Sequence, residues 1–161
     1  MTRPLRALLL AVIFCLAASA SGSAQNSPIV DVPTGDAEMV QAMSKARETL
    51  GTFWQRFEKP GAGEDGFSLK VAFPTDGNSS EHIWVGELKR EAGKITGTIS
   101  NMPRHPKVPR QGARVEIDES RISDWLYRRD GKLVGIYTMR PMLKRMSPQD
   151  AARYRVMLAE P

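Results

Sequence analysis

Ile122-Ser123-Asp124-Trp125-Leu126-Tyr127-Arg128, Asp130-Gly131 and Leu133-Val134-Gly135-Ile136-Tyr137-Thr138 together read as a β-hairpin, and this reading sets the fold class. Asp-Gly tolerates the positive φ that a two-residue hairpin turn requires. The flanking runs are rich in aromatic and β-branched residues, which favour strands. Strand signals continue upstream. Phe67, Leu69, Val71 and Phe73 alternate with Ser68, Lys70 and Ala72, the period of a half-buried strand. In residues 81–89, His82, Trp84, Gly86 and Leu88 fall on one face and Ile83 and Val85 on the other. Apolar residues on both faces imply an interior strand. Glu91-Ala92-Gly93 turns the chain into a further strand at 94–100, and residues 113–118 form another.

Helical spacing lies on either side of these strands. Met39, Met43, Ala46, Leu50, Phe53 and Phe57 step by four and three, which predicts one helix over residues 36–59 with an apolar core face. Asp36 or Thr34 can cap its start, and Pro60-Gly61 ends it. Pro141 opens a short helix to residue 146. Ser147-Pro148-Gln149-Asp150 marks another helix start, with a Ser cap and an acid three residues on; that helix runs to about residue 158. The expected fold is α+β: one long N-terminal helix packed on a mostly antiparallel sheet of about six strands, with short C-terminal helices.

The first 24 residues carry a different message. Arg3 and Arg6 precede an apolar run over residues 7–18, and small residues follow at Ala18-Ser19-Ala20 and Gly22-Ser23-Ala24. That order is the pattern of a secretory signal peptide. The apolar run is too short to span a bilayer. The expected layout is a signal peptide at 1–24, a tether at 25–35 that lacks periodicity, and a single domain at 36–161. The expected location is the periplasm or the exterior, with no transmembrane span left after cleavage.

Charge and cysteine content narrow the function. The one cysteine, Cys15, lies within the signal, so the mature chain has no thiolate nucleophile and no cysteine ligand. Residues 25–102 carry 8 basic and 11 acidic groups, and residues 103–161 carry 13 and 7. This polarity can steer an acidic partner or anionic lipid to one face, while the net charge of +3 over residues 25–161 is too mild to indicate nucleic acid. Two histidines, His82 and His105, without metal-ligand spacing give no metal site. Dinucleotide, Walker and Gly-x-Ser-x-Gly motifs are absent, so no cofactor is expected.

Three groups of residues remain as candidates. Glu81 and His82 are an acid–base pair in sequence, but strand neighbours point to opposite faces. Asp124 shares a strand face with Ile122 and Leu126, so it needs a partner, and Arg140, Lys70 and His82 are the candidates. Pro103, Pro106 and Pro109 recur every three residues, the repeat of polyproline II, which would display Arg104, Lys107 and Arg110 along another edge.

Taken in order, Glu81-His82-Ile83-Trp84, Asn101-x-Pro103, Ile122-Ser123-Asp124-Trp125 and Gly131…Gly135-x-Tyr137-Thr138-x-Arg140 resemble the YegJ-like family of bacterial domains of unknown function. The resemblance covers roughly residues 45–145. It implies a small α+β domain, sometimes exported, with Glu81, His82, Asn101, Asp124, Thr138 and Arg140 at its signature positions, and it brings no activity with it. The leading expectation is a non-catalytic module that binds an unknown protein or an envelope component through Arg104, Lys107 and Arg110. The alternatives are an envelope-polymer hydrolase or lyase using Asp124, His82 and Glu81, or an inhibitor or immunity-type protein. The sequence does not fix the oligomeric state.

Overall fold

Six antiparallel strands form one sheet in the order β4-β3-β2-β1-β5-β6. The computed structural model describes residues 35–159. In chain order the elements are α1 (Ala37–Glu48), α2 (Leu50–Glu58), β1 (Glu64–Pro74), β2 (Ser80–Glu91), β3 (Lys94–Ile99), β4 (Arg114–Ile117), a 3-10 turn (Glu119–Arg121), β5 (Ile122–Arg129), β6 (Lys132–Gly135), α3 (Met139–Leu143) and α4 (Pro148–Arg155). The α+β class and the six-stranded sheet match the sequence reading. The expected signal peptide at 1–24 and the tether at 25–35, apart from Gly35, lie outside the described residues.

Hairpin turns set much of the register. Arg129 pairs with Lys132 across Asp130 and Gly131, whose φ angles are 49° and 77°. Glu91 pairs with Lys94 across Ala92 and Gly93, at 48° and 77°. Both are two-residue turns with positive φ at each central residue, the geometry that suits the strand twist. β2 lies inside the sheet between β1 and β3, as its apolar residues on both faces require.

The long N-terminal helix of the sequence reading is two helices. Thr49 interrupts it: its N–H keeps the ladder bond to Lys45 O at 3.1 Å, but its hydroxyl, besides donating to Lys45 O (2.8 Å), turns to Ala46 O (3.3 Å), the next carbonyl of the ladder. The apolar stripe continues across the break, so Ala46, Leu50, Phe53 and Trp54 all enter the core. They meet Leu69, Val71, Ile83, Val85, Trp125 and Tyr127 from the sheet. Two indole N–H groups tie the layers together: Trp125 Nε1 donates to Ala46 O at 2.9 Å, and Trp54 Nε1 donates to Glu119 Oε1 at 3.0 Å.

The last strand is shorter than the sequence suggests. β6 stops at Gly135 instead of running to Thr138, because Gly135 (φ 79°) and Ile136 (φ 45°) kink the chain. The kink carries it into α3, which packs against α1. Among the described residues no helix is long and apolar enough to cross a membrane.

Candidate functional site

Asp124, Lys70 and Trp84 stand in one row across β5, β1 and β2, since Lys70 is the ladder partner of both others. Alternation along the strands puts this row on the sheet face opposite the core side chains Leu69, Ile83, Val85 and Trp125. Asp124 is completely buried. Its Oδ1 accepts hydrogen bonds from the backbone N–H groups of Trp125 (2.9 Å) and Tyr137 (3.1 Å). Its Oδ2 accepts from the backbone N–H (2.8 Å) and the hydroxyl (2.6 Å) of Thr138. Four donors saturate the carboxylate, as burial demands. Lys70 Nζ donates to the same Thr138 hydroxyl at 3.0 Å and lies 5.1 Å from the centre of the Trp84 ring. The Thr138 hydroxyl thus links ammonium to carboxylate, accepting from one and donating to the other.

The kink after β6 builds this site. Ile136 N–H donates to Trp125 O at 2.7 Å, which anchors the turn. The next two N–H groups, of Tyr137 and Thr138, are then the ones that reach Asp124. A β-branched residue at positive φ is strained, and such strain persists only where the surroundings hold it. Asp124 supplies that hold. Burial pushes the Asp124 carboxyl above its ordinary value, opposed by the Thr138 hydrogen bonds and the Lys70 cation. Burial likewise pushes the Lys70 ammonium below its ordinary value, opposed by Asp124.

His82 lies on the same face, opposite Ala72 of β1, but its partner is Ser123. His82 Nδ1 is 2.7 Å from Ser123 Oγ, and that hydroxyl donates its single proton to Lys70 O at 3.2 Å. Nδ1 is therefore the donor in the histidine–serine bond. Ser123 is fully buried and sits at the register shift between β1 and β5. Sequence reasoning missed its role, since a bulge residue carries no periodic signal.

The other signature residues serve different places. Glu81 accepts backbone N–H bonds from Arg104 (2.8 Å) and His105 (2.9 Å), fastening the loop of residues 101–112. It does not join His82 or Asp124. Asn101 Oδ1 accepts the Trp84 N–H at 2.8 Å, extending the ladder past the end of β3. Thr138 is at the Asp124 cluster, as described. Arg140, offered by the sequence as a partner of Asp124, is carried by α3 to the α1 side. Its hydrogen bond is a long one, 3.5 Å, to Ala159 O. The kink at Gly135 and Ile136 explains the difference, because it turns backbone donors toward Asp124 in place of a guanidinium. Lys70 fills the cationic role.

The loop of residues 101–112 is also more sharply folded than its proline spacing suggests. Val108 N–H donates to His105 O at 3.1 Å, closing a turn with Pro106 at the second position, where proline is favoured. That turn replaces a continuous polyproline II run.

A family model described as "Uncharacterized protein conserved in bacteria (DUF2314)" matches residues 36–158. The chain belongs to this DUF2314 family. It is similar to the uncharacterized protein YegJ of Escherichia coli (strain K12), 32% identical over 120 residues, which cover 74% of this chain and 76% of that protein. It is also similar to the putative ankyrin repeat protein NMB1133/NMB1171 of Neisseria meningitidis serogroup B (strain ATCC BAA-335 / MC58), 26% identical over 136 residues. That match covers 80% of this chain and 54% of the Neisseria protein. No solved structure matches the chain.

The DUF2314 match takes in the whole Asp124 cluster and the loop that Glu81 fastens. One pH-dependent property follows from the cluster. Burial lowers the His82 pKa below its ordinary 6.5, with the Lys70 and Arg47 cations adding to the effect. The unfolded chain then binds a proton more readily than the folded one, so folding stability is present above that value and falls as pH drops through the window beneath it. His82→Asn keeps a donor for Ser123 and removes the titration. Urea unfolding of the variant is expected to lose less stability than the natural chain between about pH 7.5 and about pH 5.5. An equal loss in both would place the titration elsewhere.

Proposed function

We propose that the protein is a non-catalytic binding module acting in the periplasm or outside the cell, where the loop of residues 101–112 contacts another protein or an envelope component. The layout would be a signal peptide at 1–24, a tether at 25–35 and a single domain from residue 36. The pattern of Arg3, Arg6, the apolar run and the small residues after it supports export.

The observation that carries the binding reading is the rigidity of the loop. The Glu81 carboxylate holds two of its backbone N–H groups. Val108 is buried in the core, and Gln111 Nε2 donates to Ser100 O at 2.9 Å. His105 Nδ1 accepts from Lys107 N–H at 3.2 Å while Nε2 meets Asp76 Oδ2 at 3.0 Å. Arg104, Lys107 and Arg110 are exposed on this frame. A prearranged surface loses less freedom on binding than a mobile one. The groups a hydrolase would need do not favour that reading: Glu81 is engaged with the loop, and Asp124 is saturated and buried. Reversing charge at Arg104, Lys107 and Arg110 is expected to abolish crosslinking capture from envelope extract while leaving the melting temperature within a few degrees. Every partner still bound by that variant would count against this surface.

A further inference from the structure

We propose that the groove between α1 and α3 is a second binding site, one that takes a small carboxylate on Arg140. The groove holds about 560 Å³, the size of a small-molecule site. Gln41, Ala42, Tyr137, Arg140 and Pro141 line it, and none of them belongs to the loop of residues 101–112. Two further cations stand in its walls, and both are matched. Lys144 Nζ pairs with Glu38 at 2.5 Å, and Lys45 Nζ pairs with Glu48 at 3.7 Å. Arg140 differs. It is half-buried, no carboxylate among the described residues pairs with it, and its hydrogen bond to Ala159 O is at the limit of length.

A guanidinium drawn partly out of water without an acid carries an unmet cost, and its planar fork suits a two-oxygen anion. The groove's charges choose among anions. With Glu38 and Glu48 neutralised by their lysines, a single carboxylate balances the charge that Arg140 leaves in the groove, whereas a dianion such as phosphate over-compensates it. Ala42 and Pro141 offer apolar contact to the rest of the ligand. The ligand class is therefore a monocarboxylate of the size of a short peptide end.

The test is an NMR titration of the full mature chain with N-acetyl-alanyl-alanine, its C-terminal amide and inorganic phosphate. The carboxylate is expected to produce saturable shifts at the amides of Gln41, Tyr137 and Arg140. Affinity should fall about tenfold or more with the amide, and equally in Arg140→Gln, since a charge-assisted bond is lost in both. The amide comparison needs no variant, so it stands even if Arg140→Gln does not fold. No saturable shift, equal binding of acid and amide, or tighter binding of phosphate would overturn the proposal.

Discussion

Asp124→Ala is expected to cost about 3 to 5 kcal/mol of folding stability, read by urea unfolding at neutral pH. The side chain is fully buried and collects four hydrogen bonds. Its removal leaves the N–H groups of Trp125, Tyr137 and Thr138 without an acceptor, and the Thr138 hydroxyl with them. It also leaves Lys70 beside no carboxylate. Unsatisfied buried donors are penalised individually, and an uncompensated buried charge adds to the loss. Asp124→Asn separates shape from charge. It keeps one acceptor oxygen and nearly the same volume, so its cost is expected to be smaller, about 1 to 3 kcal/mol. If both substitutions cost less than about 1 kcal/mol, the kink after β6 is held by something other than this carboxylate.

Gly135→Ala is expected to cost about 3 kcal/mol or more, for two separable reasons. Gly135 has φ of 79°, where a side chain is strained. An added Cβ would also lie 2.4 Å from Trp125 Cε3 and 2.5 Å from Trp125 O. That oxygen is fixed by its hydrogen bond from Ile136 N–H, so the clash has no cheap escape. Gly93 isolates the first reason: it has nearly the same φ, 77°, and open space where its Cβ would go. Gly93→Ala is expected to cost only about 1 to 2 kcal/mol. Similar losses at the two positions would mean that the close approach to Trp125 is not a constraint on the fold.

These positions also show what a single sequence can and cannot display. Asp130-Gly131 was legible because its chemistry specifies a turn type, and the helical stripe from Ala46 to Phe53 was legible because burial imposes a period. The break at Thr49 was hidden: a threonine hydroxyl that turns back onto its own helix leaves the apolar spacing unchanged. The kink at Ile136 ran against its residue type, since β-branched residues favour strands and avoid positive φ. For that reason the strand pattern runs on to Thr138, three residues past the end of β6, and Arg140 counts among the candidate partners of Asp124 beside Lys70 and His82. The need of Asp124 for partners was legible and Lys70 was among those offered, but the shared face with Ile122 was not real: the bulge at Ser123 turns Ile122, opposite Val71, into the core and leaves Asp124 on the other face beside Lys70. That Thr138 and backbone N–H groups would dominate depended on the kink. Glu81 and His82 were rightly set on opposite faces by strand alternation, but the backbone partners of Glu81 had no signal in sequence.

If the protein works through the surface of its loop while the Asp124 cluster holds the fold, the two regions separate in a binding experiment. The experiment is crosslinking capture from envelope extract with paired baits, using folded residues 25–161 as Asp124→Asn and as the charge-reversed Arg104, Lys107 and Arg110 variant. Asp124→Asn is expected to retain the partner held by the natural chain, and the loop variant to lose it. Loss with Asp124→Asn and retention by the loop variant would move the working site to the Asp124, Lys70 and His82 face of the sheet.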